Sequence, residues 1–90
     1  MIYEWDEDKR RSNLADHKLD FRDAWRVYEA LDKVTLKSLY PHEERWIDLA
    51  DVEGTVVVLV YTMRHDRVRC ISFRPAKRRK ERELYDGQSR

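Results

Sequence analysis

Glycine and proline are nearly absent from this chain, with two of each among 90 residues. Their scarcity excludes a Gly-rich phosphate loop of the P-loop or dinucleotide-binding kind. Such loops use several glycines to bring backbone N–H groups against phosphate, and Gly54 stands alone in the interior. Cysteine is scarcer still. Cys70 has no second thiol to pair with, which excludes an internal disulfide and a cysteine-built metal site and points to a reducing compartment. Long apolar runs are missing as well. The longest, Val56 to Tyr61, falls far short of a membrane-spanning helix, and the opening MIYEWDEDKRR has no apolar signal core. A soluble, cytoplasmic protein is expected. The three histidines, His17, His42 and His65, have neither HxxxH nor HExxH spacing, so no metal and no other cofactor is expected.

What the chain does have is charge: 41% of its residues are charged, as many as are hydrophobic. That balance reads as one compact domain over residues 1–90, with an ordered core from about residue 2 to 86. The formal net charge of +1 conceals a segregation. Residues 1–53 carry nine Lys and Arg against fourteen Asp and Glu, whereas residues 54–90 carry ten against four. The densest stretch is RCISFRPAKRRKERELYD, with six cations among the nine residues from Arg74 to Arg82. A basic half of this kind can form a positive face.

Periodicity divides the chain into elements. Met1 to Trp5 is a short strand; Asp6 then has N-cap chemistry, with Glu7 and Asp8 in the first turn of a helix from about Glu7 to His17. Phe21, Ala24, Trp25, Tyr28 and Leu31 recur at helical spacing behind Asp20, predicting a second helix with Trp25 in the core. Residues 32–43 fit a loop or a short strand ended by Tyr40-Pro41-His42. The period then becomes two, through Trp46 to Val52, TVVVLVYTM and Arg67 to Phe73, with turns at Glu53-Gly54 and His65-Asp66. Pro75 stands at the first-turn position that a helix tolerates, predicting a C-terminal helix from Ala76 to Tyr85 with Lys77–Glu81 and Arg79–Glu83 spaced for ion pairing, and the tail DGQSR frays. The expected architecture is α+β: a small antiparallel sheet with two N-terminal helices on one face, a C-terminal helix, and a second face open to water or ligand.

Each candidate residue has a bland reading beside a functional one. The basic run is either a solvated helix face or a surface for an anion. In the last strand, alternation places Ile71 and Phe73 on one face and Cys70, Ser72 and Arg74 on the other, so Ser72 and Arg74 point to the open side if the apolar pair is core. Arg64, Arg67 and Arg69 gather near one hairpin, where they either keep it soluble or offer bidentate donors to phosphate. His17 closes a helix and complements its dipole, or serves a site. Of Glu43 and Glu44, at most one faces a site, because neighbours in a strand point to opposite faces. Trp46 packs at the sheet edge or presents a surface for a base.

In order and spacing these pieces resemble the BrnT family of toxins of type II toxin–antitoxin systems. The resemblance is carried by YEWDEDKRRSNLADH, with Trp5, Asp6, Lys9, Asn13 and His17 in place, by DFRDAWRV, by EERW, and by RCISFRPAKRRKERELY. It implies a fold similar to RelE-type ribonuclease toxins. It also implies neutralisation by a BrnA-type antitoxin bearing a ribbon-helix-helix DNA-binding part, with promoter DNA engaged only through that complex. The family usually has Lys-His-Gly where this chain has Asp16-His17-Lys18, so the helix end lacks the residue that takes positive φ most easily.

The implied activity is a metal-independent endoribonuclease that cuts RNA and inhibits protein synthesis. RNA brings its own nucleophile, the 2′-OH. A protein must add a base, cations for the developing charge and an acid for the leaving 5′-oxygen. Arginine is a poor proton acceptor, so Arg64, Arg69 and Arg74 are expected at the phosphate. Glu44 or His17 is expected as base, with Tyr85 or His17 as acid. Ser72, Lys77, Arg78 and Arg79 are expected to bind RNA or antitoxin. The rivals are a non-catalytic basic binding module and a decayed toxin that only binds its antitoxin.

Overall fold

The computed structural model describes residues 1–77 and 79–89. In chain order they form β1 (Ile2–Glu4), α1 (Glu7–His17), a 3₁₀ turn (Phe21–Asp23), α2 (Trp25–Tyr28), β2 (Val34–Lys37), β3 (Trp46–Val52), β4 (Thr55–Arg64), β5 (Arg67–Pro75) and α3 (Arg79–Ser89). The strands make one sheet in the order β1-β5-β4-β3-β2. All neighbours are antiparallel except β1, which pairs parallel with β5. The sheet is therefore mixed and five-stranded, where alternation alone predicted a purely antiparallel one. Both long hairpins turn on two residues at positive φ, Glu53-Gly54 and His65-Asp66, a turn whose twist matches the right-handed twist of the paired strands.

Local chemistry sets the first helix. The Asp6 carboxylate accepts from the backbone N–H of Asp8 (2.9 Å) and Lys9 (3.2 Å), and Lys18 closes the other end at φ 61°, its N–H donating to Leu14. Lys18 thus adopts the left-handed conformation that a glycine takes without a steric cost. The helix does not lie on a sheet face, as expected of both N-terminal helices. It runs along the outer edge of β5, and its one buried residue, Asn13, donates to the Phe73 carbonyl (2.7 Å) and accepts from the Phe73 N–H (3.0 Å). A carboxamide has the donor and acceptor of a peptide unit, so Asn13 continues the edge pairing where β1 ends.

The main core lies under the 3₁₀ turn and α2. Phe21, Ala24 and Val27 pack there against Ala50, Val57, Leu59, Tyr61, Val68, Cys70 and Phe73. Their spacing of three is that of a tight turn, and it leaves Trp25 half-exposed and Leu31 fully exposed, against the expectation that both belong to the buried stripe. The same face buries one carboxylate. Asp48 is fully enclosed and accepts from Lys33 (2.8 Å), Thr35 (2.7 Å) and Tyr61 (3.1 Å). Desolvation and that neighbouring carboxylate push the Tyr61 hydroxyl well above its ordinary value, so it stays a donor.

A bulge decides the faces of β5. Tyr61 pairs with Cys70 while Val60 pairs with Ser72, so Ile71 is the extra residue. Cys70 and Phe73 therefore share the core face despite their spacing of three, and Arg69, Ser72 and Arg74 share the other. Ile71 is half-buried at the bulge and not in the core, which corrects its expected pairing with Phe73. Nor is the second face open throughout. Tyr85 of α3 packs on Val34, Leu49 and Val58, so α3 closes the end near the β3–β4 hairpin. That helix starts at Arg79 and continues to Ser89, later at both ends than the sequence indicated.

Candidate functional site

At the other end of the second face, near the β4–β5 hairpin, a polar cleft of about 190 Å³ opens between β4, β5, the start of α1 and the loop before β3. It is lined by Asp6, Lys9, Glu43, Arg45, Thr62, Arg64, Arg69, Cys70 and Ile71. Four cations thus face two carboxylates. One of those, Asp6, is already committed to the helix N-terminus.

Each cation arrives by a different route. Arg64 and Arg69 share the second face with Thr62, because Thr62 pairs with Arg69 and Arg64 with Arg67. Lys9 comes from the first turn of α1, carried there by the parallel pairing of β1 with β5. Arg45 comes from the loop joining β2 to β3. That loop is closed by the Ser38 N–H donating to the Arg45 carbonyl (2.9 Å) and tied to β4 by the Thr62 hydroxyl donating to the Glu44 carbonyl (2.7 Å).

Glu43 is the charged hinge of the cleft. It accepts from Arg45 at 2.8 Å and from Arg64 at 3.5 Å. The Arg45 hydrogen bond, with Arg64 adding attraction, holds its carboxyl below the usual carboxylate range against the opposing pull of desolvation. Arg69 meets Glu4 at 3.2 Å, whereas Lys9 has no ion pair among the described residues. Cys70 contributes its place only, since burial pushes its thiol up to about 12 and leaves no thiolate near neutral pH. Among the described residues no three His, Cys, Asp or Glu side chains come together as a metal-binding group.

The expected site residues do not all meet here. Arg64 and Arg69 do. Glu44 turns away to Lys37 (3.4 Å), and its neighbour Glu43 lines the cleft instead. Arg74 stands five positions beyond Arg69, roughly 15 Å along the strand, where its guanidinium makes two bonds to Glu81 (3.0 and 2.7 Å). Those bonds raise the Arg74 pKa further and fasten α3 to the sheet. Tyr85 is buried in the small second core, and its hydroxyl donates to Asp32 (2.8 Å), which raises its pKa. His17 lies at the opposite end of α1 from Lys9. Ser72 lies between the two ends, opposite Val60. Lys77 and Arg79 are exposed beside α3, with Arg79 paired to Glu83 (3.1 Å), and Arg78 lies outside the described residues. Trp46 is partly buried against the main core, with the Lys37 ammonium 5.9 Å from the centre of its ring.

Lys9 and Arg45 were not expected in the site, and of Glu43 and Glu44 it was Glu44 that was named as base. Lys9, Glu43 and Arg45 all sit inside the stretches that carry the family resemblance, which is the one signal the sequence offers for Lys9 and Arg45. No match is found among the curated proteins. The family model described as "Ribonuclease toxin, BrnT, of type II toxin-antitoxin system" matches residues 5–80, from Trp5 just after β1 as far as the first turn of α3, and the chain belongs to that family.

Proposed function

We propose that the protein is a metal-independent endoribonuclease whose reacting phosphate lies in the cleft at the β4–β5 hairpin. The observation that carries this reading is the convergence of Lys9, Arg45, Arg64 and Arg69 around Glu43, the cleft carboxylate that does not cap a helix. Three guanidiniums and an ammonium suit a phosphate that gains negative charge as the 2′-oxygen attacks it. Glu43 stays ionised at neutral pH and is the acceptor placed to take the 2′-OH proton. Its weak basicity is offset by position, since geometry precedes pKa in choosing a base. Lys9, with three donors and no ion pair, is assigned to the leaving 5′-oxygen. In this scheme the 2′-O–P bond forms as the P–O5′ bond breaks, leaving a 2′,3′-cyclic phosphate and a free 5′-OH.

The test is direct. Purified protein is expected to cut RNA in excess EDTA and to spare DNA of the same sequence, which has no 2′-OH. Cleavage lost in EDTA and restored by a divalent ion would overturn the metal-free route.

The proposal extends to the partner. The exposed cations at the start of α3, Lys77 just before it and Arg79 in its first turn, support a surface for an antitoxin, here of the BrnA type with a ribbon-helix-helix part. Co-expression of such a partner is expected to relieve the arrest of protein synthesis that the toxin causes alone. Arrest that persists beside a stably bound partner would set the partner reading aside.

A further inference from the structure

The loop from Ser38 to Arg45 does more than bring Arg45 to the cleft. Its tip, Tyr40-Pro41-His42, is exposed on all three residues. The Arg45 guanidinium lies 3.7 Å from the centre of the Tyr40 ring, and His42 stands 5.3 Å from that ring at 73°. The Tyr40 N–H also donates to the Ser38 hydroxyl (3.2 Å), so the tip is held within the closed loop. Three successive contacts then join the aromatic tip to the cleft: Tyr40 on Arg45, Arg45 on Glu43, and Glu43 on Arg64.

The arrangement is unlike the other exposed aromatic of the chain. Trp25 lies on α2, on the helix side of the sheet, away from the cleft cations, with Arg26 5.7 Å from its ring. Among the described residues, Tyr40 alone pairs an exposed aromatic with a guanidinium that lines the cleft. Single-stranded RNA alternates these needs along its length: each phosphate wants cations, and each unpaired base wants a flat apolar surface. A guanidinium stacked on a tyrosine meets both, because the ring holds the cation in place without using up its outer N–H groups.

We propose that the Tyr40–His42 tip is a base-binding subsite, on which one unpaired base of single-stranded RNA rests while a neighbouring phosphate occupies the cleft. The inference rests on the ribonuclease reading of that cleft. It deepens that reading by naming the substrate as unpaired RNA and Tyr40 as the residue that positions it. Any base has a flat face, so the subsite selects for strandedness before sequence.

The experiment is a binding cycle with a short 2′-O-methyl oligoribonucleotide, which keeps its bases and phosphates but has no free 2′-OH to react. Tyr40→Ala is expected to weaken binding by about 10- to 100-fold, while Tyr40→Phe keeps most of the affinity. Removing the base at each position of the oligonucleotide in turn should produce one position with a comparable loss. At that position Tyr40→Ala should cause little further loss. Thermal melting of each variant establishes that it is folded, since Tyr40 is exposed and its truncation opens no core cavity. If Tyr40→Ala has no effect, or weakens intact and abasic oligonucleotides equally at every position, the subsite is overturned and the ribonuclease reading stands. If the unaltered protein binds no RNA, both fall together.

Discussion

At the β4–β5 hairpin, Arg64 and Arg69 share a cleft with Lys9 and one carboxylate that their neighbours partly neutralise. At the opposite end of the same sheet face, Arg74 is held by two bonds from Glu81 beneath α3. Arg69 and Arg74 stand on the same strand and are equally shielded, yet one lines the cleft with a single bond to Glu4 and the other is held by two bonds to a helix. Surroundings and the number of bonds, and not residue type, separate a cation available to a ligand from one that holds the fold together. The largest effect expected from this contrast is catalytic. Arg64→Ala and Arg69→Ala should each lower RNA cleavage by about 10²–10³-fold, as the loss of one donor to a developing anion does, with little change in melting temperature. Single-turnover cleavage measured beside thermal melting would check it.

Arg74→Ala should do the reverse. Losing two charge-assisted bonds that are mostly shielded from water should lower stability by about 1–3 kcal/mol, while cleavage per folded molecule holds. Denaturant titration gives the first quantity and activity corrected for the folded fraction gives the second. If Arg74→Ala instead abolished cleavage at full stability, the two ends would not differ as described and Arg74 would belong with the reacting phosphate.

Tyr85→Phe is expected to cost less, about 1 kcal/mol, by removing the hydroxyl that donates to Asp32. It should also change the response to alkali. The hydrogen bond to Asp32 raises the Tyr85 pKa in the folded protein, so the stability it contributes is fully present below the ordinary tyrosine value near 10 and is lost as pH rises toward the folded value. Melting the two proteins at neutral pH and above pH 10 should therefore show a gap that narrows with alkali. A constant gap would mean that the bond to Asp32 is not what the hydroxyl contributes. Lys9→Ala is the smallest change in binding: the slope of log affinity against log salt for single-stranded RNA should fall by about 0.7, the share of one phosphate contact.

The legible parts of the sequence were those set by neighbours in the chain. Asp6 announced α1 to the residue, and Glu53-Gly54 and His65-Asp66 marked both hairpins. Arg64 and Arg69 could be placed together because one hairpin joins them. The parallel pairing of β1 with β5 could not be read, since it links Tyr3 to Val68 across most of the chain. The bulge at Ile71 was equally hidden. One unpaired residue reverses the alternation, which sent Cys70 to the core and left Ile71 at the cleft. The second helix misled for a related reason: Trp25 and Val27 both fit helical spacing, and only the tight 3₁₀ turn favours Phe21, Ala24 and Val27. In the site, Glu43 and Glu44 are alike in sequence and are told apart only by the loop that turns one toward Arg45 and the other toward Lys37.

Asn13 bonding to Phe73 has a consequence for how the protein comes into being. The cleft draws on residues from Asp6 to Ile71, and α1 has no edge to dock on until β5 is in place. Synthesis proceeds from the other direction, so Lys9 leaves the ribosome early and waits for its partners until most of the chain has followed. A nascent or prematurely ended chain that stops before β5 contains the cations of α1 and no cleft in which to use them. Translation itself thus withholds the assembled cleft until β5 has been made.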